Sequence, residues 1–196
     1  MILLLQAGCA TLNEEECLNA DWRSIGCEDG ARGARPSRIG QHRQACAEYA
    51  IQPDLDAYNA GHKQGLKTYC RPGNGYHAGL KGSSYNNVCP AALERGFLQA
   101  YKAGHHIYKL ETQIRSLAGQ IKKEEKELDE VKTQLGQLEA ELVSDGVSSQ
   151  RRIELLAEVR EQGKAQGKLE NQIKTLGLDM ARLQGQVEGH RAESTY

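Results

Sequence analysis

Beyond residue 106 the apolar positions recur in alternating steps of three and four. Ile107, Leu110, Ile114, Leu117, Ile121, Leu128, Val131, Leu135, Leu138 and Leu142 form one seam, interrupted only at Glu124. This spacing keeps one stripe of a helix apolar for about five heptads, the pattern of a coiled coil. Ser144-Asp145-Gly146-Val147-Ser148-Ser149 then breaks the run with turn residues. The seam resumes at Leu155, Val159, Leu169, Ile173, Leu176, Met180, Leu183 and Val187, with Gln162 and Gln166 at the seam positions between. At 1.5 Å per residue each arm spans about 55–60 Å. Two arms of similar length around a short turn predict an antiparallel helical hairpin over residues 107–196, turning near 144–150. The rival is a parallel oligomer in which the turn is a stutter. Gly163, Gly167 and Gly177 thin the second arm, which implies marginal stability or the close approach of another group. The flank Lys122-Lys123-Glu124-Glu125-Lys126-Glu127 reads as solvated i, i+4 charge pairs.

The first 106 residues follow a different pattern, punctuated by glycine and proline. Asn13 before Glu14-Glu15-Glu16 supplies a cap and an acidic first turn, predicting a helix through about Gly30. Pro36 opens a second helix that ends near Tyr49, and Asp54 caps a third through about Tyr69. The Gly-, Asn- and Ser-rich stretch 71–87 reads mostly as loop, with room for a short turn of helix. Pro90 opens the next helix, which continues past Ala100 and Gly104 into the seam. A weak repeat of aromatic and glycine runs through these segments: Trp22 with Gly26 and Gly30, Tyr58 with Gly61 and Gly65, Tyr76 with Gly75 and Gly79, Tyr101 with Gly104. Residues four apart share a helix face. Paired glycines there cost helix stability, so a packing role is the economical reason for them. The expected fold is all-α: a small disulfide-stabilised helical head over 10–106, then a long antiparallel helical hairpin (coiled coil). A functional reading of the repeat makes Trp22, Tyr58, Tyr76 and Tyr101 a candidate face for stacking a glycan or peptide.

Composition sharpens the division. All six Cys, all four Pro, the single Trp and the single Phe lie in the first 106 residues. Charge is balanced in both halves, and the formal net charge of −1 argues against a nucleic-acid partner. No run of about 20 apolar residues exists to span a membrane.

Candidate chemistry begins at the amino terminus. Ala7-Gly8-Cys9-Ala10 after an apolar run has the form of a lipoprotein processing site, with small residues before the cut and a thiol to accept diacylglycerol. On this reading residues 1–9 are the remnant of the signal, and Cys9 is the lipid attachment residue and membrane anchor. Ala10 in place of an Asp resembles an outer-membrane sorting signal. The run is short, lacks a basic segment and carries Gln6 where the usual pattern has Leu. Five cysteines remain, so at most two disulfides form and one thiol is left over. The sequence does not fix the pairing. Cys17–Cys46 and Cys70–Cys89 are expected because each closes a moderate loop between predicted helices, leaving Cys27. The alternative is a metal site from His42, Cys46, Cys70 and Cys89, but no Cys-x-x-Cys pair supports it. Paired catalytic carboxylates, a nucleophile elbow and a phosphate loop are absent from the sequence, so the reading includes no enzyme, catalytic residue, metal or cofactor. Thiol-redox chemistry at Cys27 is the form an enzyme would take.

The motifs Gly8-Cys9-Ala10-Thr11-Leu12, Asp21-Trp22-Arg23-Ser24-Ile25-Gly26 and Tyr58-x-x-Gly61-x-x-x-Gly65-Leu66-x-x-Tyr69-Cys70 together resemble a known family. So do Gly75-Tyr76, Val88-Cys89-Pro90 and Tyr101-x-x-Gly104. It is a proteobacterial family of small envelope lipoproteins that is defined only as a domain of unknown function, and the resemblance covers about residues 9–115. Cys27 departs from it, standing where the family carries an aromatic residue. The resemblance implies the periplasmic face of the outer membrane and no particular activity. The expected role is a structural, scaffold or docking element, tethered to the membrane by lipid and meeting a protein partner through the coiled coil.

Overall fold

The computed structural model describes residues 12–196. Cys9 and the rest of the proposed signal remnant lie outside the described residues. Seven α-helices and a short 3-10 turn follow in order: α1 (Glu14–Leu18), α2 (Trp22–Ala31), the 3-10 turn Pro36–Arg38, α3 (Ile39–Ala47), α4 (Leu55–Tyr69), α5 (Pro72–Leu80), α6 (Ala91–Leu142) and α7 (Ser149–Glu193). The chain divides into two compact units, 1–108 with 194–196 and 109–193.

Two expectations for the first unit need correction. The single helix predicted from Asn13 to Gly30 is broken after Leu18. Asn13 forms a reciprocal capping box with Glu16, but Asp21 then caps a new helix, accepting from the Arg23 and Ser24 N–H groups. Two strong N-caps eight residues apart favour two starts over one continuous helix. The Ser24 hydroxyl and N–H bonds hold the Asp21 carboxyl below the usual carboxylate range. The stretch read mostly as loop with a short turn of helix contains a full nine-residue helix, α5, whose Pro72 occupies the first helical position. Its glycines lower helix propensity, and packing overrides that preference.

That packing reveals two copies of one unit. In the first, α2 crosses α4 backbone to backbone. A Cβ on Gly26 or Gly30 would strike the carbonyl of Tyr58 or His62, and one on Gly61 or Gly65 would strike that of Arg23 or Cys27. In the second, α5 crosses the start of α6 the same way. Gly75 and Gly79 meet the Phe97 and Tyr101 carbonyls, and Gly104 meets that of Tyr76. Each first helix ends in the same turn. Ala34 N–H reaches Asp29 O and Gly33 N–H reaches Gly30 O, while Ser83 N–H reaches Ala78 O and Gly82 N–H reaches Gly79 O. This is a Schellman ending, which needs a left-handed residue. Gly33 (φ +72°) and Gly82 (φ +66°) supply it, and the rings of Tyr69 and Tyr108 cover them, filling the place a side chain would take. The sequence signature is Gly-x3-Gly-x2-Gly on the first helix. On the second it is aromatic-x2-small-x3-Gly-x3-Tyr: Tyr58 to Tyr69, then Phe97 to Tyr108.

Each copy has its own disulfide. Cys17 is joined to Cys46 and Cys70 to Cys89, with 5.6 Å between α-carbons in both. Each bridge lies in a separate core cluster, one with Trp22 and Tyr58 and the other with Leu66 and Phe97. By loop-closure entropy each contributes about 3–4 kcal/mol.

In the second unit the two arms pack against each other as the predicted hairpin. Every seam position is buried or half-buried, Glu124, Gln162 and Gln166 included. The register is antiparallel, fixed by Lys132 with Glu170 and Arg191 with Glu111. At the turn, Arg152 donates to the Leu142, Ser144 and Val147 carbonyls, closing the end of α6. Arg151 grips Glu141 with two bonds of 2.9 and 3.1 Å and also reaches Glu158 at 3.0 Å. The paired guanidinium holds the Glu141 carboxyl below its usual range. Gly163, Gly167 and Gly177 have nothing within 4 Å of a Cβ position, so no close approach explains them.

Candidate functional site

The strongest concentration of chemistry lies beneath the first helix crossing. Asp29 projects from the last turns of α2 because Gly26 and Gly30 on either side let α4 close down upon it. Its carboxylate is buried, and Oδ2 takes two contacts: His42 Nε2 at 2.7 Å from α3 and the Tyr58 hydroxyl, which donates at 2.9 Å from α4. His62 stacks on Tyr58 with ring centroids 5.9 Å apart, and its Nε2 lies 2.8 Å from Ala34 O. Burial, joined by the neighbouring carboxylate, pushes the Tyr58 phenol well above its ordinary range, so it stays a hydrogen-bond donor. Three helices thus converge on one carboxylate.

The second copy provides a comparison within the same chain. The residues equivalent to Asp29, Tyr58 and His62 are Ala78, Phe97 and Tyr101. Tyr101 keeps one polar duty, since its hydroxyl donates to Ser83 O at 2.7 Å as His62 meets Ala34 O. Asp29 and its phenol partner have been replaced by apolar groups. The helix crossing therefore forms without them, and the buried carboxylate belongs to what the first copy alone does.

Trp22, Tyr58 and Tyr76 are buried, and Tyr101 is half-buried. They do not come together. Trp22 and Tyr58 pack in the first cluster, Tyr101 borders the second, and Tyr76 lies against Tyr196 with ring centroids 5.5 Å apart. Instead Phe97, Tyr101 and His105 stack in succession along α6, with Tyr69 and Tyr85 on Phe97 and Tyr108 on His105. Burial raises the phenol pKa of both Tyr69 and Tyr85. Three of the four residues in the metal alternative, Cys46, Cys70 and Cys89, are in disulfides. Among the described residues no group of His, Cys, Asp and Glu is placed to hold a metal. Cys27 is a free, half-buried thiol.

Sequence reasoning reads His42 either as a metal ligand or as a satisfied helix residue, and it passes over Asp29, the partner that satisfies it. The available signal was an acidic residue between two glycines of a close-packing face, a position where a charge must be buried and so needs a partner.

Residues 21–106 match the DUF2799 family, described as a protein of unknown function. The match starts at the Asp21 cap and covers both helix crossings up to Gly104. The match thus covers most of the duplicated unit, leaving out Cys17 and Tyr108, and it includes the Asp29 cluster and the Cys70–Cys89 bridge. Comparison with curated proteins and with solved structures returns no match. Among the described residues no helix is long and apolar enough to cross a membrane.

Proposed function

We propose that this protein is a non-enzymatic bacterial envelope lipoprotein at the periplasmic face of the outer membrane. In this reading Cys9 carries the lipid, the DUF2799 segment is the folded head, and the coiled-coil hairpin is a docking element for a protein partner. The observation that carries it is the pair of disulfides, each within a core cluster. Structural disulfides persist in oxidising compartments, of which the periplasm is one. Ala7-Gly8-Cys9-Ala10 then supplies the membrane attachment, at about 0.8 kcal/mol for each acyl methylene buried. The non-enzymatic part rests on the Asp29 cluster, whose carboxylate is engaged by His42 and Tyr58 beneath packed helices.

Metabolic palmitate labelling of the wild-type chain and Cys9→Ser in a Gram-negative host tests the anchor. Label in the wild type and none in the variant is the expected result; an unlabelled wild type rejects the lipoprotein. Mass mapping of the exported chain is expected to recover Cys17–Cys46 and Cys70–Cys89 peptides. Fully reduced cysteines there reject the compartment.

A further inference from the structure

α3 presents two faces with different surroundings. His42 and Cys46 are buried, held by Asp29 and by Cys17. Gly40, Arg43, Gln44 and Ala47 share a different face by the helical period. They form one wall of a groove of about 660 Å3, and the returning chain at Ala50, Ile51 and Gln52 forms the other. Small-ligand sites occupy about 300–1,000 Å3. α3 has no counterpart in the second copy. The groove therefore belongs to the first copy alone, as the Asp29 cluster does.

The returning chain is strained where it meets the groove. Ala50 N–H reaches Ala47 O and Ile51 N–H reaches Cys46 O, the same Schellman ending that closes α2 and α5. In those two the left-handed residue is a glycine beneath a tyrosine ring. Here it is Ala50 (φ +58°), exposed on the groove. A glycine would relieve this conformation, and strain of this kind concentrates at functional sites.

We propose that the groove binds an extended peptide segment through an acidic side chain. Among the described residues that line it, Arg43 is the one charged group, so the groove is positive. A guanidinium fork matches a carboxylate with two parallel hydrogen bonds. Gln44 and Gln52 are exposed, one on each wall. Each amide both donates and accepts, as a peptide backbone requires of its neighbours. Gly40, Ala47 and Ala50 project little, so a main chain approaches closely, and Ile51 adds apolar contact. The site rests on neither the lipid anchor nor the role of the hairpin.

The test is an NMR titration of the isotope-labelled full chain carrying Cys9→Ser, with its disulfides formed. The probe is acetyl-Ala-Asp-Ala-amide, and the controls are acetyl-Ala-Asn-Ala-amide and sodium acetate. The Asp peptide is expected to shift the Gln44 and Gln52 side-chain amides and the Ala50 N–H saturably, with a millimolar Kd. The Asn peptide lacks the charged hydrogen bonds and should bind at least about tenfold more weakly. Arg43→Gln should bring the Asp peptide down to the same level. Gly40→Leu fills the groove from a position with open space around it, so the head stays folded and both peptides lose affinity. No saturable shift, equal binding of the two peptides, or acetate shifting the same signals as strongly overturns the site. Undiminished binding to Arg43→Gln or Gly40→Leu overturns it as well.

Discussion

Gly61 lies where α4 crosses α2, and replacing it with alanine is expected to destabilise the head even though alanine is the better helix former. A Cβ there would strike the Arg23 carbonyl oxygen and lie 3.0 Å from Cys27 N. Both obstacles are backbone and cannot rotate away, so the helices must separate by about 1 Å, forfeiting a quarter to a half of the contact energy across the seam. Overpacking costs about 1–3 kcal/mol where side chains can yield, and this site belongs at the upper end. Alanine returns about 1 kcal/mol of helix propensity. The balance is a loss of about 2 kcal/mol, which lowers the melting temperature of a head this size by about 8–16 °C. Trp22 is the only tryptophan and is buried at the start of α2, so its fluorescence during guanidinium unfolding reports this crossing. Gly40→Ala on α3 is the control, because nothing lies within 4 Å of its Cβ position. It should leave stability unchanged or raise it slightly. If Gly61→Ala unfolds at the same or higher denaturant concentration than wild type, the backbone-contact reasoning is wrong.

Removing the buried carboxylate alone with Asp29→Ala is expected to cost about 3–5 kcal/mol, because His42 and the Tyr58 hydroxyl lose their shared partner. Adding Tyr58→Phe should recover at least about 1 kcal/mol of that by removing the stranded hydroxyl, as a double-mutant cycle in guanidinium would show. In the hairpin, Gly163→Ala and Gly167→Ala should each stabilise by about 0.5–1 kcal/mol, read as a higher melting temperature by circular dichroism; loss of stability would mean a hidden close contact. The Glu141 carboxyl is lowered by Arg151, so its contribution is present above the ordinary glutamate value of 4.5 and is lost as pH falls through the folded value. Glu141→Gln should therefore melt below wild type at pH 7 and together with it near pH 2; a gap that persists in acid would refute the pairing.

The hairpin was legible because its signal is repeated. Eleven positions in the first arm and ten in the second follow one period, so exceptions such as Glu124 or Gln166 do not shift it, and the turn residues at 144–149 mark where it reverses. The head was legible only in part. Asn13 and Asp21 are both good caps, and the break after Leu18 follows only when Asp21 is read as a second start rather than as part of the helix that begins at Asn13. The α5 sequence Pro-Gly-Asn-Gly-Tyr-His-Ala-Gly-Leu has the composition of a loop, and it becomes helical because Gly75 and Gly79 admit the α6 backbone. The two-copy repeat was visible as scattered aromatic and glycine pairs. It resolves into a tandem unit only when the pairs are assigned to first and second helices, which requires knowing which glycine meets which carbonyl. The Asp29 cluster has no periodic signature at all, since its partners come from positions 13 and 29 residues away.

The duplication also explains why the polar cluster is in the first copy alone. Between the left-handed glycine and the second cysteine, the first copy has room for α3, whereas the second has only residues 83–88. The short second connection is held by its disulfide, by Tyr101 on Ser83 O, and by Tyr85, whose hydroxyl donates to Glu94 and accepts from the Cys89 N–H. The longer one contains a helix with few apolar anchors: His42 and Cys46 are its buried residues. Cys46 fixes the end of that helix through the disulfide, and His42 fixes its middle through Asp29. A buried charged contact is an expensive way to gain stability, but it is directional, and it aligns α3 in one register where apolar packing would allow several. Asp29 is thus best understood as the residue that orients α3, and with it Tyr49 and the turn leading to Leu55.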